Sequence, residues 1–166
     1  GLGDFASAPR LPYRLVEDWP RLPRGWNFGE CSGVAVDQQD HVWVFHRGKR
    51  PVMEFDAAGR LLQAWEDVPV VSSHGIRIDP EGYVWLVDVQ GHSVIKCDRT
   101  GRVRLVIANP GHRPGNQDSQ YGFNQPTGIW FSPRGDFYVS DGYGNSRVVH
   151  YAKDGTYLNH WGRKGS

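Results

Sequence analysis

Apolar and polar residues alternate one by one along much of this chain. In "SGVAVDQQDHVWVF", Val34 and Val36, then Val42 and Val44, recur at every second position, the period of extended strands whose successive side chains point to opposite faces. The same order of strand, polar turn, strand, polar cluster, strand, tight turn and strand occurs three times, in Ser32–Trp65, His74–Ile107 and Thr127–Trp161. The first two units start about 42 residues apart, the spacing of propeller blades. The third is delayed by "NPGHRPGNQDSQYGF", whose Gly, Pro, Asn and Gln content reads as a loop. No segment keeps a helical period over the ~10–12 residues that mark a helix. Pro51, Pro80, Pro126 and Pro133 fall at strand starts or in turns, where a missing N–H costs little.

The pattern predicts an all-β fold: a β-propeller with three four-stranded antiparallel blades near 31–66, 73–108 and 124–162, forming one partial domain over 1–166. An extra strand is expected at 13–19, because "YRLVEDW" reads like the fourth strands "RLLQAW" and "TYLNHW". A propeller sheet has two apolar faces and buries them only against neighbouring sheets, and closed rings have about four to eight blades. Three blades therefore imply more. A fragment of a longer chain, an open half-ring completed by a second copy, and a solenoid all remain open at this point.

Composition narrows the partners. The 166 residues suffice for one domain with a core. With 19 Lys+Arg against 18 Asp+Glu, the net charge of +1 gives no case for nucleic acid or an anionic membrane. No apolar run approaches the length of a membrane span and nothing reads as a signal peptide; a removed export signal, and with it a secreted or periplasmic location, stays open. Cys31 and Cys97 fit no CxxC pattern and are expected to be free and semi-buried.

A few residues could carry chemistry. His74 opens the innermost strand of the second unit, where it is either a turn histidine bonded to a carbonyl or a metal ligand facing the channel. One imidazole does not make a zinc site, which needs about three protein ligands. Tyr143, between two glycines in "SDGYGNSR", is either a packing aromatic or a base. As a base its phenol, with an ordinary pKa of about 10, needs a nearby cation such as Arg47. Arg147 and Asp141 read as braces of that loop. His41, His46, His92, His112, His150 and His160 read as solvent-facing or packing residues. Asp37, Asp56, Asp79, Asp98 and Asp154 recur at equivalent turns and are expected to bond backbone amides there. Asp88 is a candidate partner for Arg47 or Lys96.

"GVAVDQQDHVWVFHRG", "HGIRIDPEGYVWLVDVQGHSVIKCD" and "QPTGIWFSPRGDFYVSDGYGNSRVVHYAKDGTYLNHWG" together resemble the first three blades of the peptidyl-α-hydroxyglycine α-amidating lyase family, six-bladed propellers of NHL-repeat type. The resemblance covers roughly Tyr13 to Gly162. It implies cleavage of a peptide ending in α-hydroxyglycine into an amide and glyoxylate, with zinc held by three histidines, a tyrosine base, arginines around the substrate and a structural calcium. On that basis His74 is the first zinc ligand, Tyr143 and Arg47 are catalytic, and the backbone carbonyls of Val34 and Ile76 bind calcium. The other two histidines, the calcium-binding aspartate and a further arginine belong to blades not in this chain. The isolated monomer is thus expected to be inactive, with a second copy or C-terminal blades as partner and a small peptide or amide as substrate. Animal members have a disulfide just after the tyrosine; here Gly144 stands there, with Asn124 near the partner position, so packing and hydrogen bonds must hold the loop instead. The rival expectation is a non-enzymatic propeller segment serving as scaffold or self-associating binding module, since fold does not choose function.

Overall fold

The structure is a computed structural model and describes residues 11–165. It contains three four-stranded antiparallel sheets, each a simple meander. Sheet I comprises β1 (Cys31–Val36), β2 (Val42–His46), β3 (Val52–Phe55) and β4 (Leu61–Trp65). Sheet II comprises β5 (Ser73–Ile78), β6 (Val84–Asp88), β7 (Ser93–Cys97) and β8 (Val103–Ile107). Sheet III comprises β9 (Gly128–Phe131), β10 (Phe137–Asp141), β11 (Arg147–Tyr151) and β12 (Tyr157–Trp161). The one helical element among the described residues is a 3-10 turn at Pro110–His112 in the insert, and no helix is long and apolar enough to cross a membrane.

The sheets stack face to face with their first strands side by side. A Cβ on Gly33 of β1 would lie 3.2 Å from the His74 carbonyl oxygen, and one on Gly75 of β5 would lie 3.1 Å from that of Thr127. Close approach is what these two glycines permit. Between sheets I and II, Trp43, Phe45 and Val52 pack against Ile76, Leu86 and Ile95. Between sheets II and III, Trp85, Val87 and Val94 pack against Ile129, Phe137 and Val149. Sheet II is covered on both faces, which explains why all five residues of β6 are buried and why "VWLVD" is apolar almost throughout. β10 alternates buried and half-buried residues because one of its faces lacks a neighbouring sheet.

The expected strand at 13–19 does not form. Tyr13 and Leu15 are 83% and 84% exposed, and the segment touches sheet I only at its end. There the Trp19 indole donates to the Ala57 carbonyl, the Arg21 amide donates to that of Gly59, and Arg21 and Arg60 form a single parallel bridge. A fourth strand needs the third strand of its own sheet, and β4, β8 and β12 already occupy those edges.

The repeated aspartates close turns. Asp37 Oδ1 accepts from the amides of Gln39 and His41, and its Oδ2 from the Trp43 indole. Asp79 does the same for Glu81, Tyr83 and Trp85. Asp56, Asp98 and Asp154 accept amides in the later turns of their sheets. Burial alone would raise the Asp37 carboxyl, but the Trp43 indole, the two amides and the Arg99 guanidinium outweigh it and hold it at about 2. With a folded pKa below the unfolded one, its contribution, on the order of 2 kcal/mol, is present above about pH 4 and lost as pH falls through about 2. Melting temperatures measured from pH 5 to pH 2 should therefore fall most steeply in that window, and Asp37→Asn should flatten the fall.

Both cysteines are free, but they are not alike: Cys31 is exposed and Cys97 buried. Burial, with a smaller contribution from Asp98, pushes the Cys97 thiol up to about 11.

Candidate functional site

His74 sits where β5 departs from regular pairing. The β5–β6 register shifts between Ser73 and Gly75, so His74 is the extra residue of a bulge, a device that re-aims a side chain. The same shift in β1 involves Ser32, between Cys31 and Gly33. Its Nδ1 lies 2.8 Å from the Thr127 carbonyl oxygen. A carbonyl only accepts, so Nδ1 carries the proton and Nε2 of the neutral ring holds the lone pair. Tyr143 answers it from the β10–β11 loop: its hydroxyl is 3.3 Å from Nε2, and the rings meet edge to face at 5.5 Å. The two residues come from adjacent sheets. Tyr143 is otherwise open, with 66% of its surface exposed.

The loop that carries Tyr143 is fixed from beneath. The Gly144 amide donates to the Asn124 carbonyl, and a Cβ on Gly144 would collide with the Asn124 side chain. Gly144 is needed for this contact and not for a left-handed backbone, since neither it nor Gly142 has positive φ. Asp141 and Arg147 form a fully buried ion pair at 2.9 Å. The Asp141 carboxylate also accepts from the Asn124 amide and the Asn145 side chain. The Arg147 guanidinium donates to the carbonyls of Gln117, Ser119 and Gly122, tying the long insert to the end of β10. Hydrogen bonds and packing thus hold the Tyr143 loop.

Two counterparts of position 141 depart from what their sequence suggests. Asp88 is not paired with Arg47 or Lys96; it accepts the amides of Val71, Ser72 and Gly91 and so latches the link between sheets I and II. His46 is neither solvent-facing nor a simple packing residue. It is wholly buried, and its Nδ1 accepts the amides of Gly29 and Gly48. That places its proton on Nε2, which has no partner, and burial lowers its pKa. The end of each second strand is thus a latch, filled by His46, Asp88 and Asp141. The cue was available in their common offset from the strand, but their different chemistries hid it.

Of the other histidines, His41 pairs with Glu54 and His150 with Asp136 while stacking on Tyr138. Arg47 lies beside the site. Its Nη1 pairs with Glu30 at 2.6 Å, and its Nε donates to the carbonyl of Ser73, the residue before His74. Among the described residues no hydrogen bond joins it to Tyr143. Val34 and Ile76 lie on the inner strands and, with His74, Gly75, Thr127 and Gly128, line a shallow groove of about 250 Å³.

Metal donors are sparse there. His74 presents Nε2 in the form a metal ion takes, but among the described residues it joins no cluster of His, Cys, Asp or Glu. The one compact cluster among the described residues, Asp37, His41 and Glu54, lies at the sheet I–II junction. Arg99 bridges its two carboxylates at 2.9 and 2.7 Å and already supplies the positive charge. The described residues alone do not fit zinc, which needs about three protein ligands. The carbonyls of Val34 and Ile76 are oxygen donors of the kind calcium takes, but two are few for an ion that takes about 6–8.

The chain resembles known proteins in sequence and in fold. Residues 123–151 match the NHL repeat. The chain is 30% identical over 169 residues to peptidyl-alpha-hydroxyglycine alpha-amidating lyase 2 of Drosophila melanogaster, an alignment covering 87% of this chain and 41% of the relative. It is 29% identical over 198 residues to peptidylglycine alpha-amidating monooxygenase of Rattus norvegicus, covering 100% of this chain and 20% of that protein. The chain thus spans less than half the length of either. Virginiamycin B lyase from Staphylococcus aureus shares the fold at 19% identity and a TM-score of 0.61, over 82% of this chain and 42% of that one. The three sheets are β-propeller blades, and the chain carrying them is similar, over most of its length, to the peptidyl-α-hydroxyglycine α-amidating lyases.

Proposed function

We propose that this chain supplies part of a site that cleaves the carbinolamide of a peptide ending in α-hydroxyglycine, giving a peptide amide and glyoxylate. The observation that carries the reading is the meeting of His74 Nε2 and the Tyr143 hydroxyl at 3.3 Å, with the imidazole tautomer set by the Thr127 carbonyl. Names of relatives that share most of this chain point the same way.

In this reading Tyr143, as phenolate, takes the proton of the substrate hydroxyl. The oxygen electrons form the aldehyde C=O as the C–N bond breaks, and the amide nitrogen regains a proton. While the phenol keeps its proton, His74 Nε2 accepts from it and so positions the Tyr143 oxygen. In the phenolate an unprotonated Nε2 has no proton to give, and the edge-to-face contact of the rings is what holds it. Arg47 keeps Nη2 without a partner among the described residues, and its fork suits the carboxylate that becomes part of glyoxylate. A zinc ion taking the His74 Nε2 lone pair in place of the bond to the phenol, and held otherwise by donors outside this chain, would supply the positive charge that favours phenolate. A calcium on the Val34 and Ile76 carbonyls would likewise need further ligands from outside. Because one imidazole is too few for zinc, the isolated monomer is silent.

Glyoxylate release from an α-hydroxyglycine peptide tests this in two arms. The zinc-loaded monomer should release none above the uncatalysed rate. Fusion to the C-terminal blades of the Drosophila lyase should create release that Tyr143→Phe lowers by about 10²–10⁴-fold. Turnover by the monomer would overturn its silence, and a fusion indifferent to Tyr143→Phe would overturn the role of Tyr143.

A further inference from the structure

His74 and Tyr143 stand on different sheets, so their meeting depends on how sheet III and the insert before it sit against sheet II. The short corner 124–127 serves both residues. Its Asn124 carbonyl accepts the Gly144 amide beneath the Tyr143 loop, and its Thr127 carbonyl accepts from His74 Nδ1. The amides of the corner are fully accounted for. Asn124 donates to the Asp141 carboxylate, Thr127 donates to the Ser140 carbonyl, and Pro126 has no N–H to give. Those bonds tie the corner to sheet III. The remaining amide, that of Gln125, crosses to sheet II and donates to His92 Nδ1 at 3.0 Å.

His92 is therefore more than a solvent-facing or packing residue. A backbone amide only donates, so Nδ1 is the acceptor and the proton of the neutral ring lies on Nε2, the opposite tautomer to His74. Both ends of this bond have backbone that side chains rarely adopt, with φ of 51° at His92 and 60° at Gln125. Such conformations persist where the surroundings over-determine them. His92 is fixed from its own sheet, because the buried Asp88 accepts the Gly91 amide and a Cβ on Gly91 would collide with the Asp88 carboxylate. The other side chains that cross between these parts act elsewhere: His112 donates to the Gly91 carbonyl from the start of the insert, and Lys153 reaches Glu81 at the opposite rim.

We propose that His92 is a positioning residue for the His74–Tyr143 pair. By accepting the Gln125 amide it sets the corner 124–127 against sheet II, and with it the place of the Thr127 carbonyl at His74 and of Asn124 under Tyr143. Its catalytic consequence rests on the reading of His74 and Tyr143 as reacting groups, whereas the geometry is measured without turnover.

Two-bond ¹H–¹⁵N spectra of the full chain labelled with ¹⁵N-histidine show which ring nitrogen holds the proton, at about pH 8, above the ordinary imidazole value of about 6.5. The unsubstituted chain should show His74 protonated at Nδ1 and His92 at Nε2. His92→Gly suits the left-handed backbone but removes the acceptor. It should leave His74 as a mixture of both tautomers and weaken the nuclear Overhauser contact between the His74 and Tyr143 rings, with an unchanged circular dichroism spectrum. His92→Asn, whose side-chain oxygen accepts an amide, should restore both signals. In the fusion to the C-terminal blades of the Drosophila lyase, His92→Gly should lower kcat for glyoxylate release by up to about 10²-fold, and His92→Asn should recover most of it. A His74 tautomer unchanged in His92→Gly would overturn the proposal, as would a change that His92→Asn does not reverse. Absence of release from every fusion would overturn the catalytic reading and leave the spectra to decide the role of His92.

Discussion

Replacing Arg147 with Met should lower the melting temperature of the chain by about 6–20 °C. Arg147 and Asp141 are both fully buried, and removing one partner of such a pair costs about 3–5 kcal/mol because the other charge is left uncompensated. For a chain of this length each kcal/mol is worth about 2–4 °C. The guanidinium also serves three insert carbonyls, which a thioether cannot serve. A second substitution, Asp141→Asn, should recover part of the loss, since it removes the stranded charge while keeping an acceptor for the Asn124 amide. Thermal melts followed by circular dichroism would show both effects. A shift below about 2 °C for the single variant would mean that solvent reaches the pair.

Trp85→Ala should cost about as much, through packing and not charge. The indole is 1% exposed and lies between sheets II and III, 4.6 Å from the Phe137 ring and 5.3 Å from that of Phe131. Truncating a buried Trp to Ala costs about 3–5 kcal/mol, the higher values applying where neighbours cannot close the cavity. Here they cannot close easily, because both walls are hydrogen-bonded sheets. The Asp79 carboxylate also loses the indole N–H at 2.9 Å. Chemical denaturation should show a lower midpoint with a nearly unchanged slope. Trp85→Phe should recover much of the packing and none of the hydrogen bond, separating the two contributions.

Much of the architecture was legible in advance because it rests on local rules. Alternation at Val34, Val36, Val42 and Val44 marks strands whatever lies around them, and the repeated Asp turns use bonds between residues two to six apart. Tyr13–Trp19 shows where that reasoning fails. Its pattern matches an outer strand, yet a fourth strand forms only against the third strand of its own sheet, places that β4, β8 and β12 already hold, and pairing is not a property of the segment. The latch positions failed for a related reason: His46 and Asp88 look like free polar groups until loops distant in sequence bring amides to them.

The sequence by itself determined the strands, their turns and the threefold repeat, because side-chain period and turn bonding act over a few residues. Only the tertiary structure decided that Thr127 sets the His74 tautomer, that Tyr143 from the next sheet meets its free nitrogen, and that Arg147 reaches back to the insert. Those contacts join residues 53, 69 and 25 to 30 positions apart. They exist because face-to-face burial of the sheets places the ends of their first and second strands at one rim. No local pattern encodes that placement; it follows from which apolar face covers which.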